Sequence, residues 1–303
     1  MSSKWKAFFR LSRPIFLVGG VLAFALGALV ARYEGHAIDS ILYVTGQILV
    51  TTLQLAAQYL NEYWDVEVDA LNKSRTFFTG GSGVLSEGSI SRKTAARAAS
   101  IFLTIAAVTA TYLIVRYRIG PEVWAVMLFA FLGAIFYSSP PLKLESTGVG
   151  ELIASIEVAG LLPIFSYLLV ADRLGWLIVL VVLPLVMLHY AMLLAFDLPD
   201  MRSDEAGGKR TLLVRIGGNR GAMMHNALLV LGFGMAGAAS VGGLPALAVI
   251  SLTATAPLAA IQALAMTRAK NGESISYQRL TSGAASFFGL ATVILAVSFW
   301  ALA

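Results

Sequence analysis

The chain has no cysteine, and charged residues make up only 13% of its 303 positions. Without cysteine there is no disulfide, no thiolate nucleophile and no cysteine-held metal. So few charges cannot cover a water-soluble globule of this length. Hydrophobic residues reach 58% and the mean hydropathy is +0.78. The charges present lean basic, with 22 Lys and Arg against 17 Asp and Glu. That surplus does not indicate nucleic acid, because the basic residues sit in short segments between apolar runs, where membrane topology accounts for them.

The apolar residues fall into blocks of membrane-spanning length. They predict an all-α, polytopic membrane protein: one domain over residues 1–303, with about nine transmembrane helices in one bundle around a lipid-open central cavity. The expected spans are 14–30, 41–63, 96–115, 121–138, 150–170, 174–196, 222–241, 244–266 and 282–302. The first run reads as a retained span rather than a signal peptide, since no small-residue cleavage site stands out and eight further runs follow. With the N-terminus cytoplasmic, 18 of the 22 Lys and Arg fall on the inner side, leaving Arg32, Arg116, Arg118 and Arg173 outside. That bias orients the chain, and the cell (plasma) membrane is the expected location.

Two acidic patterns stand out against this background. Asn61, Asp65 and Asp69 are spaced four apart, so a helix puts their oxygens in a stripe about 12 Å long on one face. Asp197, Asp200 and Asp204 repeat the theme four spans later. With this orientation both patterns fall on the cytoplasmic side, after the second and the sixth span. Carboxylates gathered without a cation repel one another, whereas Mg²⁺ takes hard oxygen ligands and shares them readily with phosphate. Basic and glycine-rich segments follow each pattern: Lys73 and Arg75 with Thr79-Gly80-Gly81-Ser82-Gly83, then Gly207-Gly208-Lys209-Arg210-Thr211. The first glycine run is not a P-loop, for it lacks the Gly-Lys-Ser/Thr ending and a preceding strand.

With Tyr137-Ser138-Ser139-Pro140-Pro141-Leu142-Lys143, and with Arg13-Pro14 before the first span, these patterns resemble the UbiA superfamily of intramembrane prenyltransferases over essentially the whole chain. The resemblance implies Mg²⁺-dependent transfer of an isoprenyl chain from a prenyl diphosphate to an acceptor, through a carbocation-like allylic species. It implies metal ligation by Asp65, Asp69, Asp200 and Asp204 with Asn61. Tyr137 belongs to the catalytic set, and Lys73, Arg75, Lys143, Lys209 and Asp197 to the substrate-binding set. The partners expected are the prenyl diphosphate, a small aromatic acceptor and membrane lipid. Thr79 to Leu85 and Gly148-Val149-Gly150-Glu151 resemble members that prenylate 1,4-dihydroxy-2-naphthoate for menaquinone. Chlorophyllide, 4-hydroxybenzoate, homogentisate or a glycerol phosphate lipid remain alternative acceptors. A cation-coupled transporter is the competing class, but its acidic residues belong near the bilayer midplane rather than at helix ends.

Three further polar residues lie inside apolar runs. Glu151 and Glu157 fall in the fifth span, where Glu157 is expected to face the bundle interior and to find a polar partner. His189 in the sixth span reads as a histidine hydrogen-bonded within the bundle.

Overall fold

The computed structural model describes residues 3–303 and is helical throughout, with no strand among the described residues. A short helix α1 (Ser3–Leu11) precedes α2 (Pro14–Tyr33), α3 (Ser40–Leu71), α4 (Arg92–Tyr117) and α5 (Pro121–Phe136). The next pass is built in three pieces: α6 (Gly150–Ser155), a π-helical turn (Ile156–Leu161) and α7 (Leu162–Ala171). Then come α8 (Trp176–Ala206), short α9 (Leu212–Ile216), α10 (Gly218–Val241), the pair α11 (Ala246–Thr253) and α12 (Ala256–Lys270), and α13 (Tyr277–Leu302). Among the described residues, eight helical passes are long and apolar enough to cross a membrane, and the 16-residue α5 is a shorter ninth. The protein is an integral membrane protein.

Local chemistry explains the helix starts. Asp39 caps α3 by accepting from the Ile41 and Leu42 N–H groups, Ser91 caps α4, and Ser276 caps α13. Pro14 and Pro121 occupy first helical positions, where a missing N–H costs nothing. Polar side chains inside the spans satisfy themselves on their own helix: the Thr45, Ser100 and Thr109 hydroxyls each donate to the carbonyl four residues back.

The largest core joins α2, α7, α8, α10 and α13 through residues such as Leu26, Ile178, Leu188 and Phe287. Gly27 lets α2 and α7 touch, since a Cβ there would lie 1.9 Å from the Pro163 carbonyl oxygen.

The helices overrun the expected spans at two places. The second acquires eight residues beyond 63 and the sixth ten beyond 196, so both acidic patterns lie on α3 and α8 themselves rather than after them. Polar residues end a hydrophobic run without ending a helix. The helices stop instead at Asn72 and Gly207. The eighth span is interrupted near Pro257, which splits it into α11 and α12.

Candidate active site

The acidic faces of α3 and α8 meet at one end of the bundle around a cavity of about 350 Å³. Asn61, Asp65, Asp69, Tyr137, Asp197, Asp200, Asp204 and Lys209, all singled out from the sequence, line it together. Lys73, Arg75 and Lys143 do not. Lys73 is exposed, and Arg75 is spent on backbone, donating to the Gly80 carbonyl of its own loop at 2.7 Å and to the Asp69 carbonyl of α3 at 3.1 Å. Lys143 sits over the Trp64 ring, 5.4 Å from its centroid.

The center of the site is a hydrogen-bonded knot. Asn61 Nδ2 shares its two hydrogens among Asp65 Oδ2, Ser138 Oγ and Glu145 Oε2, which lie 2.9 to 3.1 Å away. Lys209 Nζ donates to the same Asp65 oxygen at 2.6 Å and to Glu145 Oε2 at 3.1 Å. Burial opposes the Lys209 charge, yet the Glu145, Asp65 and Asp204 carboxylates outweigh it and hold this lysine well above its usual value. Burial pushes the Glu145 carboxyl up, against the pull of Lys209. Burial likewise holds the Tyr137 phenol protonated, well above its usual value.

A loop over residues 72–91 borders the mouth, lining the cavity with Phe78, Thr79, Gly80 and Gly81. Glu62, buried on α3, accepts from the Ser82 N–H at 2.6 Å and the Ser82 hydroxyl at 2.7 Å. Asp200 accepts from Asn72 Nδ2 at 2.7 Å and from the Gly80 N–H at 3.0 Å. Position 81 must be glycine: its φ is +66°, and a Cβ would meet Asp69 Oδ2 at 1.9 Å. The loop is thus pulled down onto both acidic stripes.

Arg13 and Glu145 join the cavity although the sequence did not mark them as site residues. Arg13 donates to the Phe78 carbonyl and lies 4.4 Å from the Phe16 ring centroid. Burial lowers its pKa, with Glu62, Asp69 and Asp200 working the other way; an arginine stays cationic through such shifts. Its signal was only an arginine before the first span's proline. Glu145 had no signal, since it lies in a short 3₁₀ turn reached through Pro140-Pro141.

The oxygens fit a hard cation. Among the described residues no three acidic or histidine side chains already form a closed metal cluster. Even so, the donors are carboxylates and one carboxamide. Asp197 Oδ2 is buried without a partner. The Asn61 amide spends its nitrogen on three neighbors, which leaves Oδ1 unbonded among the described residues. That is oxygen chemistry of the kind Mg²⁺ takes.

Away from this polar end the cavity adjoins an apolar pocket of about 130 Å³ between α3, α5 and the π turn, sharing Gln54, Ala57 and Val158 with it. Glu157 opens into this second pocket, inward as expected, but no hydrogen-bond partner for it occurs among the described residues. Its carboxylate lies against Gly133, where a Cβ would overlap it. The π turn that carries Glu157 sets it on the pocket face rather than toward a polar neighbor. His189 is bonded within the bundle, to Ser155, and also lines the main cavity.

Comparison with known proteins gives this arrangement a lineage. Residues 21–283 match the model of the UbiA prenyltransferase family. The chain is 24% identical over 302 residues to the 1,4-dihydroxy-2-naphthoate octaprenyltransferase of Bacillus subtilis, covering 96% of this chain and 92% of that one. It is 25% identical over 228 residues to the digeranylgeranylglyceryl phosphate synthase of Sulfurisphaera tokodaii, covering 75% of each. In fold it is similar to a UbiA homolog from Archaeoglobus fulgidus solved bound to GPP and Mg²⁺, with a TM-score of 0.70, 17% identity, and 98% and 99% of the two chains covered. The chain belongs to the UbiA prenyltransferase family and is a membrane-embedded prenyltransferase.

Proposed function

We propose that this enzyme transfers an isoprenyl chain from a prenyl diphosphate to a hydroxylated aromatic acceptor, 1,4-dihydroxy-2-naphthoate, in menaquinone formation. One observation carries the reading: two acidic stripes share the mouth of one cavity whose deeper side adjoins apolar space. A diphosphate belongs at the first and an isoprenoid in the second. The positive-inside bias supports a mouth open to the cytoplasm, in the plasma membrane.

Asp65, Asp69, Asp200, Asp204 and Asn61 would hold Mg²⁺, which supplies positive charge to the departing diphosphate. Lys209 and Arg13 place two further cations at the cavity wall, and the Gly80 and Gly81 backbone approaches closely because neither residue has a side chain. Tyr137 keeps its proton and can donate to an oxygen that gains charge. The loop over 72–91 walls one side of the mouth and narrows the access of water, which would otherwise trap the allylic carbon in place of the acceptor ring. No side chain need form a bond to the substrate.

The acceptor rests on the likeness to the Bacillus subtilis enzyme along nearly the whole chain. The archaeal synthase supports a second reading, a glycerol phosphate lipid acceptor. The test incubates purified protein with Mg²⁺, labelled geranylgeranyl diphosphate and each acceptor in turn. A prenylated naphthoate supports the first reading and a lipid ether the second. Intact diphosphate with every acceptor would overturn both.

A further inference from the structure

His189 lies on α8 eight residues, about 12 Å of helix, from Asp197 toward the bundle interior. Its ring orientation is set by two contacts. Phe288 meets it edge-on at 4.8 Å between centroids and 73° between planes. Ser155 of α6 lies 3.1 Å from Nδ1.

The Ser155 hydroxyl decides which nitrogen carries the proton. A serine has one O–H hydrogen. Ser155 Oγ lies 2.7 Å from the Glu151 carbonyl oxygen, which can only accept, so that hydrogen is donated there. What Oγ presents to His189 is a lone pair, and Nδ1 must therefore be the N–H that donates to it. In the neutral imidazole Nε2 is then a lone-pair acceptor. Ser155 is fully buried and His189 nearly so. Nε2 has no partner among the described residues, while the side chain lines the main cavity, whose wall also holds the apolar Ala154, Val158, Met192 and Leu193 and the polar Gln54, Gln58 and Glu151.

An acceptor-only nitrogen on the cavity wall selects a ligand with a hydrogen to give. An isoprenoid has none, and an ionized diphosphate has none. A hydroxylated ring does. We propose that a ring hydroxyl of the prenyl acceptor donates a hydrogen bond to His189 Nε2, so that His189 orients the acceptor beneath the diphosphate site. The inference rests on the functional reading above and assigns the acceptor's place within it. As the ring gives electron density to the allylic carbon, its hydroxyl becomes more acidic and the bond to Nε2 tightens. The contact therefore favors the transition state over the bound ground state. Ser155 acts through His189 as a positioning residue, by fixing the tautomer.

The test uses the full chain in detergent with Mg²⁺, geranylgeranyl diphosphate, 1,4-dihydroxy-2-naphthoate and the two monomethyl ethers of that acceptor. The wild type should prefer the free diol over one of the ethers. His189→Leu should lower kcat/KM for the diol about tenfold or more, erase that preference and leave the donor KM within about twofold. His189→Gln, which keeps an accepting oxygen, should recover most of the loss. Ser155→Ala keeps the imidazole but frees its tautomer, and should fall between. An unchanged diol preference in His189→Leu would overturn the assignment, as would equal losses of donor and acceptor affinity, which mark a merely structural role. Should Leu fail to fold, a Gln variant no better than Ala with the diol would overturn it as well. Failure of the wild type to prenylate the diol at all would instead remove the functional reading on which this rests.

Discussion

Lys209, in the loop after α8, is ion-paired at 2.6 Å with Asp65 of α3, a residue 144 positions away. Both side chains are largely withdrawn from solvent, and Glu145 shares the same ammonium. One cation thereby ties together the two halves of the acidic site and the turn that follows α5.

Removing that cation should cost both stability and donor binding. Lys209→Met leaves Asp65 and Glu145 facing each other and is expected to lower the unfolding free energy by about 3 kcal/mol. Thermal unfolding in detergent measures it, and an unchanged melting temperature would show that the pair contributes nothing. Lys209→Gln should raise the KM for the prenyl diphosphate more than Lys73→Gln does, because Lys73 points away from the cavity.

The metal proposal predicts a sharp charge dependence. Asp65→Asn and Asp200→Asn keep size and remove charge, and each should reduce turnover about a hundredfold or more. Size-exclusion profiles should stay those of the folded protein. EDTA should abolish wild-type turnover and added Mg²⁺ restore it. A purified Asp65→Asn protein working at near-normal rate would take Asp65 out of the ligand set.

Glu62 holds the mouth loop through two bonds to Ser82. Glu62→Ala should free residues 72–91, and trypsin should then cut at Lys73 and Arg75 several-fold faster than in the wild type. Glu62→Gln keeps one accepting oxygen and should be intermediate. Equal cleavage rates in all three would mean that the loop is held by Asp200 and Arg10 instead.

Glu157 gives a prediction opposite to the one its sequence context suggests. A polar partner would make leucine more damaging than glutamine. The carboxylate instead opens into apolar space, so Glu157→Leu should leave stability unchanged or raise it by about 1 kcal/mol, and Glu157→Gln should gain less. Thermal melts of the three proteins decide it. A clear drop for the leucine variant would reveal a partner that forms in the membrane.

Much of the architecture was legible because the bilayer imposes simple rules. Apolar runs about twenty residues long must become helices, since lipid satisfies no backbone hydrogen bond. Nine such runs translated into eight long passes and the shorter α5. Helices outrun the apolar spans where the hydrophobic pattern stops but the hydrogen-bonded ladder does not, as at residues 64–71 of α3.

By itself the sequence determined the membrane class, the approximate number of passes and the two acidic stripes, because all three are local patterns of period 3.6 or of span length. It could also nominate Lys209 and Tyr137 by resemblance. Only the tertiary structure decided which nominated cations reach the cavity. Lys209 and Lys73 both lie within a few residues of an acidic pattern, yet one turns inward to Asp65 and the other outward. The same holds for Arg13, Glu145 and the Ser155 to His189 contact, whose members are 34 positions apart on helices brought together by packing. A side chain's direction at a helix end depends on the loop that follows it and on the helix it faces, and neither is written in the spacing of residues along one segment.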